Sequence, residues 1–400
     1  MGESEFTRWI EINLDAIIHN FREVRRLVSP AVKIMAVVKS DAYGHGAVEV
    51  ARVLEETGAD MLAVTTVEEG RELVQNGIEL PVLVFAPLLS CQAKTVLDYG
   101  LVPTIDSLAA LEALARQARA QGIKAAFHLK VETGMGRSGI MPEEVGSFIK
   151  SIKGLPSLSL QGIYSHLATA MAERKEHAQK QYQVFCQVLD MFRKEKCPFE
   201  IAHIANSAAL LDLREMELDM VRVGTLLYGQ YPSPYVKRKL DLKDPWKVKA
   251  RVLSVKKLLA GSPVGYGRDY IAKKPLEVGV IAIGYADGFG QQPHTRPVKT
   301  YDLIKSTAKG LTQLARLVPV NFVWWQNKKI PVVGRIAMQL CMVDASGHNI
   351  KVGDEVSVPL RRTSAGARLP RIFFRDGSAV MVRDINGALL KCAPNFSKFE

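Results

Sequence analysis

Lys39 directly follows the apolar run KIMAVV and precedes SDAYGHG. A lysine just past a buried strand stands at the rim of a dry cavity. There its amine gives up a proton more readily and can form an imine with a carbonyl cofactor. The plain alternative is a lysine whose stem lies on apolar surface while its head reaches water. Tyr43 and His45, flanked by Gly44 and Gly46, favour the first reading, because glycine lets backbone approach a ligand closely. The same arrangement recurs downstream. Lys130 closes AAFHLK and is followed, after Val131, by ETGMGRSG, which carries Arg137. His166 ends LSLQGIYSH, Asn206 and Ser207 follow IAHIA, and Arg222, Gly224 and Thr225 lie in or just after MVRVG. Each also has an ordinary reading. His166 could be a buried structural histidine, Ser207 the cap of a helix starting at Ala208, and Arg137 a surface ion-pair partner. Lys130 could pair with Glu132, and Tyr266 could be a turn aromatic; His45 and His203 read as structural.

These residues share a position relative to the elements. Eight short apolar runs (33–38, 61–66, 81–86, 101–105, 125–131, 158–166, 201–205 and 220–224) alternate with helical patterns such as 47–56, 67–77, 107–122 and 171–196. Strands alternating with helices imply parallel βα units with right-handed crossovers. The fold class expected is α/β, a (β/α)₈ barrel followed by a mostly β C-terminal domain. An open doubly wound sheet is the alternative, but no GxGxxG follows the first strand. Barrels of this kind carry their chemistry at the C-terminal ends of strands, where Lys39, Lys130, Arg137, His166, Asn206, Ser207, Arg222 and Gly224 fall. From about residue 240 short Gly- and Pro-punctuated strand patterns dominate, including ARVLSVKKLL, EVGVIAIGY, NFVWW, KIPVVG, CMVDA, DEVSVPL and SAVMV. Residues 302–318 interrupt them with helical spacing. The expected domains are 1–240, with a strand at about 8–13 joining the second domain, and 241–400.

AVVKSDAYGHG (36–46) resembles the cofactor-lysine segment of alanine racemases, and the likeness extends along most of the chain. It includes WIEINLDAIIHN, KVETGMGRSGI, GIYSHLATA, HIANSAAL, RVGTLLYG, GYGRDY, IGYADG and VGRIAM. The resemblance implies pyridoxal 5'-phosphate as cofactor, an amino-acid substrate, alanine above all, and a homodimer with shared active sites. It implies that Lys39 holds the cofactor and is one catalytic base, and that Tyr266, from the partner, is the other. Tyr43, Asn206, Ser207, Gly224 and Thr225 would bind the cofactor, mostly at its phosphate. Arg222 would face the pyridine nitrogen, His166 would lie along the ring, and Arg137 would address the substrate carboxylate. Met338 and Tyr285 would stand at the mouth of the partner's site. Lys130 is a position often carbamylated in the family. Chemically, racemisation needs an acid/base group on each face of a planar carbon. An arginine facing the ring nitrogen leaves it unprotonated and weakens the electron sink, which disfavours side reactions.

Three departures stand out. Glu132 replaces the usual Asp, and Gln339 follows VGRIAM where Asp is usual. INGALLKCAPNF (385–396) resembles the family's INYE-like segment and would set Gly387 at its tyrosine. An opened pocket would admit serine or a larger amino acid. A fold-related decarboxylase and a non-catalytic cofactor-binding protein are the other readings. The helical insertion at 302–318 would refill the pocket, extend the interface or do neither.

Composition fits this picture. Of 400 residues, 48% are hydrophobic and 24% charged, ordinary globular usage, and no run is long enough to span a membrane. The N-terminus lacks a signal-peptide pattern. Five scattered cysteines without CxxC spacing suit a cytoplasmic protein with no metal site. A formal charge of +12 favours anionic ligands such as phosphate. The basic stretch 237–251 is interrupted by acids and reads as a solvated connector, not a nucleic-acid surface.

Overall fold

The computed structural model describes residues 6–291, 307 and 321–391. Residues Leu14–Pro245 form one compact unit, and the chain on either side of them forms a second. The division falls at Pro245/Trp246, against the expected 240/241.

The first unit is built on eight strands: β2 (Lys33–Val37), β3 (Met61–Val64), β4 (Val82–Pro87), β5 (Val102–Ile105), β6 (Ala125–Lys130), β7 (Leu158–Tyr164), β8 (Ile201–His203) and β9 (Met220–Val223). All pair in parallel, in sequence order from β2 to β8, and β9 returns to β2. The ring closes where Asn206 bridges Arg222 in parallel and the Arg222 N–H donates to the Ala205 carbonyl at 2.9 Å. The structure is therefore the expected (β/α)₈ barrel. Its strands read as unbroken apolar runs because both faces are covered, as parallel sheets require. Met35, Val37, Met61, Ala63, Leu83, Val102, Ile201 and Met220 pack together, with Tyr43 and Phe85 against them.

The outer helices include Ala47–Thr57, Val67–Gln75, Leu108–Gln121 and Glu176–Lys194, each close to its predicted span. Leu14–Leu27, Ala93–Asp98, Val145–Lys153 and Ser207–Asp212 are helices that periodicity did not single out. Ala93–Asp98 and Ser207–Asp212 have only six residues each, too few to develop a 3.6-residue period.

The second unit is a mostly antiparallel sheet of ten strands: β1 (Arg8–Asn13), β10 (Trp246–Leu258), β13 (Leu276–Ile281), β14 (Phe322–Trp325), β15 (Lys328–Val333), β16 (Cys341–Asp344), β17 (Glu355–Ser357), β18 (Arg371–Arg375), β19 (Ser378–Arg383) and β20 (Leu389–Lys391). A separate hairpin pairs β11 (Pro263–Val264) with β12 (Tyr270–Ile271). β1 runs antiparallel to β10 and parallel to β18. The reading of 237–251 as a solvated connector needs correction. Its last six residues open β10, with Trp246, Val248 and Ala250 buried between half-buried Lys247, Lys249 and Arg251. The basic residues there are the outward half of a strand alternation.

The predicted helix at 302–318 lies outside the described residues, Thr307 excepted. Gly387 occupies the turn between β19 and β20 at φ +83°. Among the described residues no helix is long and apolar enough to cross a membrane, and no cluster of acidic, histidine and cysteine side chains could hold a metal ion.

Candidate active site

A cavity of about 490 Å³ opens at the C-terminal ends of the barrel strands. Lys39, Tyr43, Lys130, Arg137, His166, Asn206, Ser207, Arg222, Gly224 and Thr225 all line it, although the sequence scatters them from residue 39 to residue 225. Thr65, Phe85, Ala86, Pro87, Tyr164 and Met171 add apolar and hydroxyl wall that the sequence reading did not name.

The turn after β2 presents Lys39. Ser40, Asp41, Ala42 and Tyr43 all take left-handed backbone conformations, with φ of 53°, 54°, 51° and 56°. Such geometry costs an L-residue roughly 1–2 kcal/mol each. Hydrogen bonds hold it: the Ala42 N–H donates to the Val38 carbonyl at 2.8 Å, and the Gly44 N–H to Ser40 at 3.0 Å. Glu69 holds the outer side. One carboxylate oxygen accepts from the Ser40 N–H at 2.6 Å, and the other from Thr65 at 2.7 Å and Thr66 at 3.1 Å. Burial, and then the nearby Arg137 charge, push the Lys39 amine below the ordinary lysine range; Glu69 works weakly against them.

At the next strand ends the structure builds a polar pocket. The Gly224 N–H donates to Ser207 Oγ at 3.0 Å. Tyr43 lies over this glycine so closely that a Cβ there would meet the Tyr43 hydroxyl at 2.6 Å. Burial raises that phenol to about 12. Thr225 Oγ1 is buried with no hydrogen-bond partner among the described residues. The predicted Ser207 cap is corrected: Asn206 Oδ1 caps Ser207–Asp212 by accepting from Ala208 and Ala209 at 3.0 and 3.1 Å.

Arg222 is buried and makes five contacts inside the barrel. It donates to the carbonyls of Ser165, His203 and Ile204 at 2.7, 3.0 and 3.2 Å, and to His203 Nδ1 and His166 Nδ1 at 2.9 and 3.3 Å. Burial lowers its pKa to about 10, which still leaves it charged at neutral pH. Guanidinium groups only donate, so both imidazole nitrogens must accept. Burial first, then the Arg222 charge, push His166 to about 3. His203, read as structural, is buried and a direct hydrogen-bond partner of Arg222.

The Lys130–Glu132 pairing considered from sequence is not made. Lys130 Nζ donates to Ser138 Oγ at 2.5 Å. The Glu132 carboxylate instead organises the following loop, accepting from the N–H groups of Gly134, Met135 and Arg137 at 2.6, 2.5 and 3.1 Å. Burial acts to raise Glu132, but backbone donors, Gly136 foremost and then Gly134, Arg137 and Met135, together outweigh it. Burial, followed by the charges of Arg137 and Arg222, lowers Lys130 to about 8.

Tyr266, Tyr285, Met338 and Gln339 belong to the second unit. Tyr266 follows Gly265 and is 71% exposed; Tyr285 and Met338 are also exposed. The Tyr285 and Ala286 N–H groups donate to the carbonyls of Ala337 and Met338 at 3.0 and 2.9 Å, joining the two loops.

Comparison with known proteins adds to this geometry. Residues 12–232 match the family model "Alanine racemase, N-terminal domain", and residues 246–366 match "Alanine racemase, C-terminal domain". The chain is 33% identical to alanine racemase 1 of Caldanaerobacter subterraneus subsp. tengcongensis, over 94% of this chain and 97% of that one. It is 38% identical to the alanine racemase of Desulforamulus reducens, over 90% and 91%. Among solved structures, alanine racemase from Clostridium difficile 630 superposes with a TM-score of 0.84 at 30% identity, covering 95% of this chain and 99% of that one. Alanine racemase from Bacillus anthracis with bound L-Ala-P gives 0.81 at 28%, covering 94% and 97%. Gly387 lies beyond the C-terminal family match, which ends at residue 366.

Proposed function

The chain belongs to the alanine racemase family, a family of isomerases, and on that premise we propose that it interconverts L- and D-alanine with pyridoxal 5'-phosphate. The observation that carries this reading is the joint lining of one cavity by Lys39, Tyr43, Ser207, Arg222, Gly224 and Thr225. These residues fit the cofactor. Lys39 is a half-buried amine below its ordinary pKa. The buried Thr225 hydroxyl lacks a partner among the described residues, beside a glycine with no room for a side chain. That is a cradle suited to a phosphate.

When bound, the cofactor supplies the electron sink that makes the α-proton of an amino acid mobile. The chain's residues do the rest. Lys39 holds the cofactor through Nζ and moves a proton on one face of the substrate α-carbon. Tyr266 of the partner subunit serves the other face. Arg222 would donate toward the ring nitrogen, and its Nη N–H groups are held by barrel carbonyls and by Nδ1 of His203 and His166. His166 accepts from Arg222 at Nδ1, so its proton sits on Nε2, where it can donate outward. Arg137 addresses the substrate carboxylate, and Met338 and Tyr285 of the partner subunit would narrow the mouth. Carbamylated, Lys130 would orient Arg137; as a plain amine it crowds that arginine with a like charge. If its neutral amine added carbon dioxide with loss of a proton, like-charge crowding would become an ion pair. Intact mass in bicarbonate would then show the adduct in the native chain and not in Lys130→Met. Four free cysteines among the described residues fit the reducing cytoplasm, where we assign the protein.

The test is α-proton exchange in heavy water over a panel of L- and D-amino acids, with chiral analysis. Exchange with inversion, fastest for alanine and lost in Lys39→Ala, is expected; released carbon dioxide or no exchange would reject the reading. Co-expression of Lys39→Ala with Tyr266→Phe tests the shared site. Random pairing makes half the dimers mixed, each with one intact site of two, so about a quarter of native activity should return. A site complete within one chain would give only the residual rates of the two variants.

A further inference from the structure

We propose that His128, seated in a slot left by Gly162, is a positioning residue for Arg222 and acts through His203. The inference deepens the proposed function, since it concerns the arginine assigned to the ring nitrogen.

Hydrogen-bond polarity carries the argument. Arg222 Nη1 lies 2.9 Å from His203 Nδ1, and His203 Nε2 lies 2.9 Å from His128 Nδ1. The guanidinium can only donate. His203 Nδ1 therefore accepts, and the proton of the neutral ring is on Nε2. That proton points at His128 Nδ1, which must accept in turn and keep its own proton on Nε2. A single order of protons thus runs from the cavity wall into the core. Both rings are fully buried, which keeps them neutral. His203 is also clamped by Tyr164, whose ring stacks on it at 4.9 Å and 7°.

The backbone makes room for this arrangement. His128 on β6 pairs with Gly162 on β7 just after a register irregularity between Phe127 and His128. A Cβ at Gly162 would stand 2.6 Å from both Cε1 and Nδ1 of His128. Real Cβ atoms do not approach so closely, so an alanine at 162 must displace the imidazole. The irregularity and the glycine together admit a ring that has no contact with the cavity.

The consequence is a fixed tautomer beside a permanent cation. If His203 carried its proton on Nδ1, that N–H would face the N–H of Arg222. The guanidinium sets this tautomer by donating to His203 Nδ1, and an acceptor at His128 Nδ1 reinforces it by receiving the Nε2 proton. His128→Leu removes the acceptor, whereas His128→Asn places an amide oxygen near the Nδ1 position.

The decisive measurement is ¹⁵N NMR of the histidine rings in the cofactor-free chain, which does not depend on the racemase reading. Native protein should show His203 and His128 both protonated on Nε2, with coupling between His203 Nε2 and His128 Nδ1. Either ring protonated on Nδ1, or charged at pH 7, would overturn the proposal. In Gly162→Ala and His128→Leu the His203 signals should shift or broaden between tautomers; unchanged signals in a folded variant would overturn it. In the loaded enzyme His128→Leu should lower kcat by roughly tenfold with little change in KM, and His128→Asn should recover most of it. Equal loss in both variants would assign His128 a merely structural role. Absence of turnover in the native enzyme would fail the racemase reading and leave the NMR result to decide this one.

Discussion

At the scale of single residues, the site works by exclusion as much as by contact. Gly224 has a negative-φ backbone that other residues could adopt, yet its missing side chain leaves room for the Tyr43 hydroxyl. Gly224→Ala would force Tyr43 aside and distort the Ser207–Gly224 bond. We expect cofactor affinity to fall by at least about tenfold, some 1.4 kcal/mol, with folding retained. Titration of the cofactor's absorbance against protein checks this, and unchanged affinity would show that Tyr43 moves freely. Several residues of the cavity were legible in the sequence because lysine, arginine and tyrosine at strand ends are informative by type. His203 and His128 were not. A histidine in an apolar strand looks the same whether it fills space or accepts from an arginine, and its partner lies on another strand.

At the scale of elements, the turn between β2 and the helix Ala47–Thr57 shows what local propensity misses. SDAY contains no glycine, so nothing in its composition announces four left-handed residues. Tertiary contacts impose the conformation, with Glu69 receiving backbone N–H groups from both the turn and the β3 end. The same Glu69 completes a capping box with Thr66 at the start of Val67–Gln75. Glu69→Gln keeps the shape but turns one acceptor into a donor, so one oxygen can no longer serve its N–H groups. The expected loss of stability is about 1–3 kcal/mol. Urea unfolding measures it, and a loss below about 0.5 kcal/mol would mean that the turn holds itself. The short helix Ser207–Asp212 teaches a related lesson. Its cap is Asn206, which frees Ser207 to accept from Gly224 across the closing seam of the barrel. One residue of offset at a helix start decided which side chain caps the helix and which accepts from Gly224.

At the scale of the whole molecule, the barrel interior keeps three imidazoles neutral. His128 and His166 are pushed to about 4 and about 3 by burial first, and His203 goes well below its ordinary value for the same reason. Their native pKa values lie below those of the unfolded chain, so the unfolded state binds more protons below about pH 6.5. Stability therefore falls as pH drops from about 6.5 toward 4, each fully neutral ring contributing up to ~1.4 kcal/mol per pH unit. Unfolding at pH 5 should take up close to three protons from these rings. The same titration in His128→Asn should take up one fewer, and equal uptake would show that His128 is already charged in the native state.

The sequence by itself determined the alternation of strands and helices, the barrel with its β-rich companion, and the candidate residues at strand ends. Those features are local: a strand's apolar run and the polar residue that ends it are adjacent in the chain. Only the tertiary structure decided the partners. It set Lys130 on Ser138 rather than Glu132, turned Glu132 into the organiser of its own loop, and brought His128 to His203 across 75 residues of sequence. Hydrogen bonds of 2.5–3.0 Å depend on strand register and on where a side chain is missing, as at Gly162. Both follow from how eight strands close on one another, and neither can be read along one of them.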